Sequence, residues 1–483
     1  MKTNKKIMLI YPPGKAYQRG EDRAQCNLEE SVVATIHACN DLGYSASILR
    51  NNGYDVFLKD YQTEKTSLED TINQIKNYSP DIIVISTTNG IIISDLLFVR
   101  EIKKVHSCKI IMKGAIFYNP QEEFLKTLDL SQVDYLVGGE IDTIIGDLVE
   151  SIFDGDKRID KIPGILYKKN GMLKRNDFDC WEDNLDNIPF PARDLMNNSL
   201  YLRPDTEEPM ATIQTSRGCP CGCSYCLTPI ISGKRVRKRS VENIFAEIEE
   251  CYYKYNIHNF FFKADTFTID NDWAESLCDK IIKSELYGKI SFTVNSRSMP
   301  LKKSLLEKLK KAGCFMIAVG FESGNNKTLD LIEKGTSRDG NLKAAKMIKK
   351  VGIPLFGFFM IGFPWESKKD IKETFKFILK ISPNFIELHI AMPYYGTKFY
   401  SQCVEYGTIN GLGWGSDYFS PNTIGTTTLP LKKIQRMRKR FLLRFYLRPS
   451  YLFKNIFKNI FKPKVLKNYC KHGIELLKKS FNK

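Results

Sequence analysis

The chain reads as an α/β protein: an N-terminal doubly wound, Rossmann-like parallel sheet, a partial (β/α)6 barrel of the TIM type, and a helical C-terminal tail. Three observations predict this. Residues 1–150 alternate short β-rich runs with amphipathic stretches, the pattern of strand, crossover helix and parallel strand. From Ala211 a second alternating series begins, with six strand-like runs separated by helical ones. After residue 430 the composition turns basic and apolar residues recur at helical spacing. At 483 residues the chain exceeds one ordinary core, so several domains are expected. The divisions fall at 1–150, 151–205, 206–430 and 431–483.

In the first region "KIMLIY", "YDVFLKD", "DIIVIST", "KIIMKG" and "VDYLVGG" are the strands, with helices such as "SLEDTINQIKNY" and "SDLLFVREIKKV" between them. Ligands of such sheets sit beyond the carboxyl ends of the strands. Those ends read "YPPG", "STTNG", "KGAIFYNP" and "GGEID". None is a GxGxxG turn or a Walker loop, which argues against NAD or ATP here. Residues 151–205 hold a hairpin-like pair around "KKNG" and then proline-rich chain, read as a linker with a small β element. The barrel strands are "ATIQTS", "NFFFKA", "ISFTVNS", "MIAVGFE", "LFGFFMIG" and "FIELHIA". The N-terminus has too short an apolar run for an export signal, and no stretch approaches the roughly 20 apolar residues of a membrane span, so a cytoplasmic location is expected.

The net charge of +17 is concentrated in the tail. Residues 431–483 contain seventeen Lys/Arg and one acid, Glu475, which leaves the rest of the chain nearly neutral. "RPSYLFKNIFKNIFKPKVLK" sets Leu452, Phe453, Ile456, Phe457, Ile460 and Phe461 on one helical stripe beside Lys454, Lys458 and Lys462. Such a helix either packs its stripe on the barrel or lies on an anionic membrane surface. No RNA-binding motif accompanies the charge, so no nucleic-acid partner is expected.

Thirteen cysteines are scattered singly except in "GCPCGCSYC", which carries Cys219, Cys221, Cys223 and Cys226 directly after the first barrel strand. Cys26, Cys180 and the other single thiols are read as small apolar residues. Zinc on Cys221, Cys223 and Cys226 is one reading of the cluster, but structural zinc takes four ligands, normally in two separated pairs, and no second pair exists. Cys219, Cys223 and Cys226, spaced x3 then x2, suit a 4Fe–4S cubane with one iron left open.

"TSRGCPCGCSYC" resembles the cluster loop of radical S-adenosylmethionine (SAM) enzymes, with Cys221 in a spacer position and Tyr225 at the aromatic that packs near SAM. "VGFESG" is similar to that family's fifth-strand motif, "MIGFPWES" to its sixth-strand "GxPGET" with Trp365 replacing a glycine, and "PYYGTKFY" to the segment that follows. "PPG", "SPDIIVIST" and "VDYLVGGEIDT" resemble the sheet of the cobalamin-binding members. Two positions depart from the pattern: Lys113–Ile116 reads "KGAI" in place of "GGPH", and "FKADTF" has Ala264 in place of one of two acids, leaving Asp265. No "DxHxxG" occurs, as is usual in these members.

The resemblance implies a 4Fe–4S cluster on Cys219, Cys223 and Cys226. It places SAM against Tyr225, Asp265, Asn295, Arg297, Gly320 and Glu322, and cobalamin against Ser86, Thr87, Gly114, Gly139 and Glu140. For Arg297, a salt bridge at the barrel rim is the structural alternative. The implied reaction is reductive cleavage of SAM, hydrogen abstraction from an unactivated carbon, and methyl transfer from cobalamin. An external donor of the flavodoxin or ferredoxin type would supply the electrons, and a small molecule or lipid would be the substrate. Ring closure, rearrangement or oxidation is the enzymatic alternative; a zinc-holding nucleic-acid-binding protein is the remote one.

Overall fold

A computed structural model describes residues 5–18, 27–28, 31, 35–118, 120, 122–177, 181–461 and 463–481. Cys26 and Cys180 lie outside the described residues. The first sheet has seven strands: β1 (Lys6–Tyr11), β2 (Asp55–Asp60), β3 (Ile82–Ser86), β4 (Lys109–Lys113), β5 (Tyr135–Val137), β6 (Ile165–Lys169) and β7 (Met172–Arg175). Their order is β2-β1-β3-β4-β5-β6-β7, parallel from β2 to β5 and antiparallel at β5–β6 and β6–β7. The order reverses between β1 and β3, which opens a ligand crevice at their carboxyl ends. Helices α1 (Asn40–Asn51), α2 (Leu68–Tyr78), α3 (Ile92–Val105) and α4 (Ile145–Phe153) cover the sheet. α1 and α4 pack on one face, and α2 and α3 on the other.

The β6–β7 hairpin differs from the linker expectation. Asn170 and Gly171 both take positive φ, 53° and 77°, as a two-residue hairpin turn requires. Tyr135 then pairs with Tyr167, and the hairpin extends the first sheet.

The barrel follows. β8 (Met210–Gln214) leads into a two-residue strand β9 (Ser216–Arg217) paired with β10 (Arg237–Lys238). After these come α5 (Val241–Tyr255), β11 (Asn259–Lys263), α6 (Asn271–Lys283), β12 (Ser291–Arg297), α7 (Lys303–Ala312) and β13 (Cys314–Glu322). The series ends with α8 (Arg338–Val351), β14 (Leu355–Ile361), α9 (Lys368–Ile381) and β15 (Phe385–Ile390). The six strands β8, β11, β12, β13, β14 and β15 are parallel and in that spatial order. Ser240, Asp270 and Ser367 cap α5, α6 and α9 through their side chains.

β8 and β15 are the edges of this open barrel, and unpaired edges need covering. At β8, Asn40 Nδ2 of α1 and Arg193 Nη2 both donate to Thr212 O, at 2.7 and 2.8 Å. At β15, the work falls to α10 (Leu431–Tyr446). Arg438 Nε donates to Leu388 O, and Tyr446 Oη bonds both Ile386 N and Ile386 O at 2.9 Å. Two tail helices, α11 (Pro449–Asn459) and α12 (Pro463–Phe481), complete the chain. No helix among the described residues is long and apolar enough to cross a membrane.

Candidate active site

The cysteine loop leaves β9 at the carboxyl end of the barrel. Gly218 sits at φ +86°, and a Cβ there would lie 2.0 Å from Arg235 O, so only glycine fits before the first cysteine. Gly218 N donates to Asp265 Oδ2 at 2.8 Å, and Thr228 Oγ1 donates to Asp265 Oδ1 at 2.9 Å. Asp265, expected at SAM, therefore ties the two ends of the cysteine loop together. Cys219 and Cys223 are buried, while Cys221 and Cys226 are half-buried.

Two of these sulfurs accept hydrogen bonds from polar neighbours. Arg297 Nη1 donates to Cys223 Sγ at 3.2 Å, and Thr228 N to Cys226 Sγ at 3.4 Å. Burial opposes the charge of Arg297, but Cys223, Cys221 and Tyr225 beside it together outweigh that and raise its pKa. A hydrogen bond with Cys219 draws the Cys221 thiol down to about 6 and pushes Cys219 up. Three thiols on one loop, met by a guanidinium and a backbone N–H, are a donor set suited to iron–sulfur ligation.

Arg297 Nη2 also donates to Lys334 O. Lys334 is buried, and its Nζ reaches Glu322 Oε1 at 2.7 Å and Tyr225 Oη at 3.2 Å. Arg297, Lys334, Glu322 and Tyr225 thus form one connected group beside the cysteines. Gly320 is part of it by default: a Cβ there would lie 2.5 Å from Glu322 Oε1 and 3.1 Å from Lys334 Nζ. Burial, then the Glu322 charge, raises the Tyr225 phenol well above its ordinary value, so it stays protonated. Asn295 stands half-buried two residues before Arg297 on β12. Lys334 was invisible in the sequence, one lysine among many on a loop with no periodicity.

The first sheet meets this loop through charge. Arg217, the residue before Gly218, donates to Glu140 Oε2 at 3.1 Å and to Asp142 Oδ1 at 3.0 Å. Arg237 Nη1 donates to the same Glu140 oxygen at 2.9 Å. All four side chains are almost wholly buried. Glu140, expected among the corrin contacts, is half of a clamp between the β5 loop and the strand pair that carries the cysteines. "GGEID" and "TSRGC" held the opposed charges in plain view, but only the fold pairs them.

The other corrin candidates are placed with similar clarity. Ser86 Oγ donates to Asp41 Oδ2 at 3.1 Å and Thr87 Oγ1 to Asp95 Oδ2 at 2.6 Å. Lys113 of "KGAI" is buried in an ion pair with Asp41 at 2.6 Å. Its side chain is thereby absorbed between sheet and α1 rather than standing in the crevice. Gly114 is packed, with a Cβ position 2.9 Å from Thr87 O. Gly139 is open, its nearest neighbour at Cβ being Tyr118 at 4.0 Å. A flat macrocycle at this edge would fit against backbone, at Gly139 above all, with the hydroxyls and Glu140 already engaged.

Residues 213–378 match the model of the radical SAM superfamily. This segment of the barrel is a radical SAM domain. The cofactors of the chain therefore include a 4Fe–4S cluster and SAM, and the chain is an enzyme. An uncharacterized methyltransferase of Pyrococcus horikoshii is 28% identical over 93% of this chain and 94% of that protein. Among solved structures, the cobalamin-dependent SAM radical enzyme OxsB superposes with a TM-score of 0.69 at 16% identity, covering 96% of this chain and 72% of that one. The radical SAM methyltransferase TsrM of Kitasatospora setae gives 0.66 at 15% identity, over 83% and 75%. This radical SAM chain therefore shares their fold: sheet, partial barrel and helical C-terminal region together.

Proposed function

We propose that this radical SAM enzyme methylates an unactivated carbon of a small molecule or lipid, with cobalamin held at the carboxyl edge of its first sheet. One observation carries the reading: the β5 loop at the edge of the crevice grips, through Glu140 and Asp142, the residue that precedes the cluster cysteines. This contact supports a corrin site and a cluster site held close to each other. The methyltransferase name of the archaeal relative and the cobalamin-bound neighbours support it.

When bound, the cluster and SAM supply a carbon radical and the corrin supplies a methyl group. The chain's own residues do the positioning. Cys219, Cys223 and Cys226 are the proposed iron ligands, and Arg297 donates to the Cys223 sulfur. Tyr225, Lys334 and Glu322 would form the wall that orients SAM, with Asn295 beside them and Asp265 fixing the loop from behind. Residues 1–150, with the hairpin, form the corrin domain and residues 206–430 the SAM domain. Ser86, Thr87 and Gly114 shape the crevice from within, and Gly139 would lie against the corrin when it is bound. The electron donor is a flavodoxin or ferredoxin. The enzyme works in the cytoplasm, in peripheral contact with a membrane through its tail.

The test is anaerobic reconstitution of wild type, Cys221→Ala and Cys223→Ala, followed by iron, sulfide and cobalt analysis and visible spectra. Wild type and Cys221→Ala should hold about four irons per chain, and Cys223→Ala should lose them. One bound corrin and a product heavier by one CH2 complete the expected result. Iron without affinity for cobalamin would sink the methyl-transfer reading and leave a generic radical SAM enzyme. A product of unchanged carbon count would point to ring closure or rearrangement.

A further inference from the structure

Five of the six residues of the tail's apolar stripe, Leu452, Phe453, Phe457, Ile460 and Phe461, are exposed. α11 is anchored through Tyr451, whose Oη donates to Asn384 O at 2.9 Å just before β15. On a 3.6-residue helix Phe453 lies about 160° around the axis from Tyr451. Phe453 is 63% exposed and Phe457 70%, and beyond the helix end Ile460 is 52% and Phe461 95% exposed. Four large apolar side chains therefore share one outward arc, with Leu452, 42% exposed, at its border. Contiguous apolar surface of this kind marks an interaction site.

We propose that this face is a docking surface for an anionic lipid bilayer. Charge selects the occupant. Residues 431–483 carry seventeen Lys/Arg against one acid, and Lys454, Lys458 and Lys462 recur in the sequence of the stripe itself. Lys464, Lys467 and Lys471 on the next helix are exposed. A second copy of the chain would bring the same positive charge against the face, which opposes pairing. A bilayer with anionic headgroups supplies both an apolar layer for the phenylalanines and negative charge for the lysines. The surface lies at the amino-terminal ends of the barrel strands, since its anchor is Asn384, whereas the cysteine loop leaves the carboxyl ends. The membrane is thus an address for the enzyme and leaves the mouth of the barrel uncovered. This deepens the peripheral-membrane reading of the tail and depends on none of the methyl-transfer chemistry.

The test is co-sedimentation of the full-length reconstituted protein with phosphatidylcholine vesicles containing or lacking phosphatidylglycerol. Wild type should pellet with the anionic vesicles and much less with neutral ones, and high salt should release it. F453S/F457S/F461S should keep the cluster spectrum and bind about tenfold more weakly or worse. K454Q/K458Q/K462Q should lose the preference for phosphatidylglycerol. Wild type remaining in the supernatant with anionic vesicles, or the phenylalanine variant binding as well as wild type, would overturn the proposal. So would a wild-type dimer that this variant converts to monomer, because a second copy would then cover the face.

Discussion

Burial acts in opposite directions on Glu366 and His389. Glu366 Oε2 accepts from Gly362 N at 2.7 Å and Phe363 N at 3.2 Å, yet burial still pushes its carboxyl up to about 8 from an ordinary 4.5. The folded chain therefore holds this proton more tightly than the unfolded one. Its contribution to stability is complete below about 4.5 and is lost as pH rises through about 8. His389, stacked on Tyr418 with ring centroids 4.6 Å apart, is pushed down to about 3 by burial, with Arg438 adding to the effect. Its neutral form is favoured, so stability is lost as pH falls from 6.5 towards 3. Glu366→Gln should flatten the alkaline side of a melting-temperature profile between about pH 4.5 and 8 and leave unchanged the acid side, to which His389 and the depressed carboxylates of Asp41, Asp194, Glu247 and Asp270 contribute. An unaltered alkaline slope in thermal unfolding of the cluster-free protein would show that Glu366 is ionised when folded.

At the scale of elements, the clamp between the β5 loop and the β9–β10 pair decides most. Removing one partner of a buried ion pair leaves its opposite charge stranded, at a cost of about 3–5 kcal/mol. Glu140→Ala strands Arg237 and half of Arg217, so denaturant unfolding should show a loss of that size. A loss below about 1 kcal/mol would mean that water or rearrangement already satisfies the arginines. This element also shows where sequence reading ends. The strands of both sheets were legible because buried parallel strands are continuous apolar runs, and the cysteine spacing is local. The hairpin at Ile165–Arg175 was legible as a hairpin but not as part of the first sheet, because a turn signal says nothing about which edge a strand joins. Glu140 and Asp265 were legible as cofactor-site candidates but not by their protein partners, and Lys334 was not legible at all, because these contacts join residues 77, 47 and 12 positions apart.

Across the whole molecule the two α/β units share their covering. α1 belongs to the first sheet, yet its Asn40 serves the open edge of the barrel, and Arg193 from the connecting segment does the same. Residues 1–177 and 181–483 produced as separate chains should each be poorly soluble, while co-expression should recover a complex that co-purifies. Two independently soluble, monomeric halves would contradict the shared edge and the buried clamp.

The shared carboxylate of Glu140 also bears on heredity and engineering. Two arginines from one half read a single acid from the other, so neither half is a free module. A chimera that takes its corrin-side sheet from a relative must import a carboxylate at this position or change Arg217 and Arg237 together. Lineages that shuffled these halves would be expected to exchange all four charges as a set.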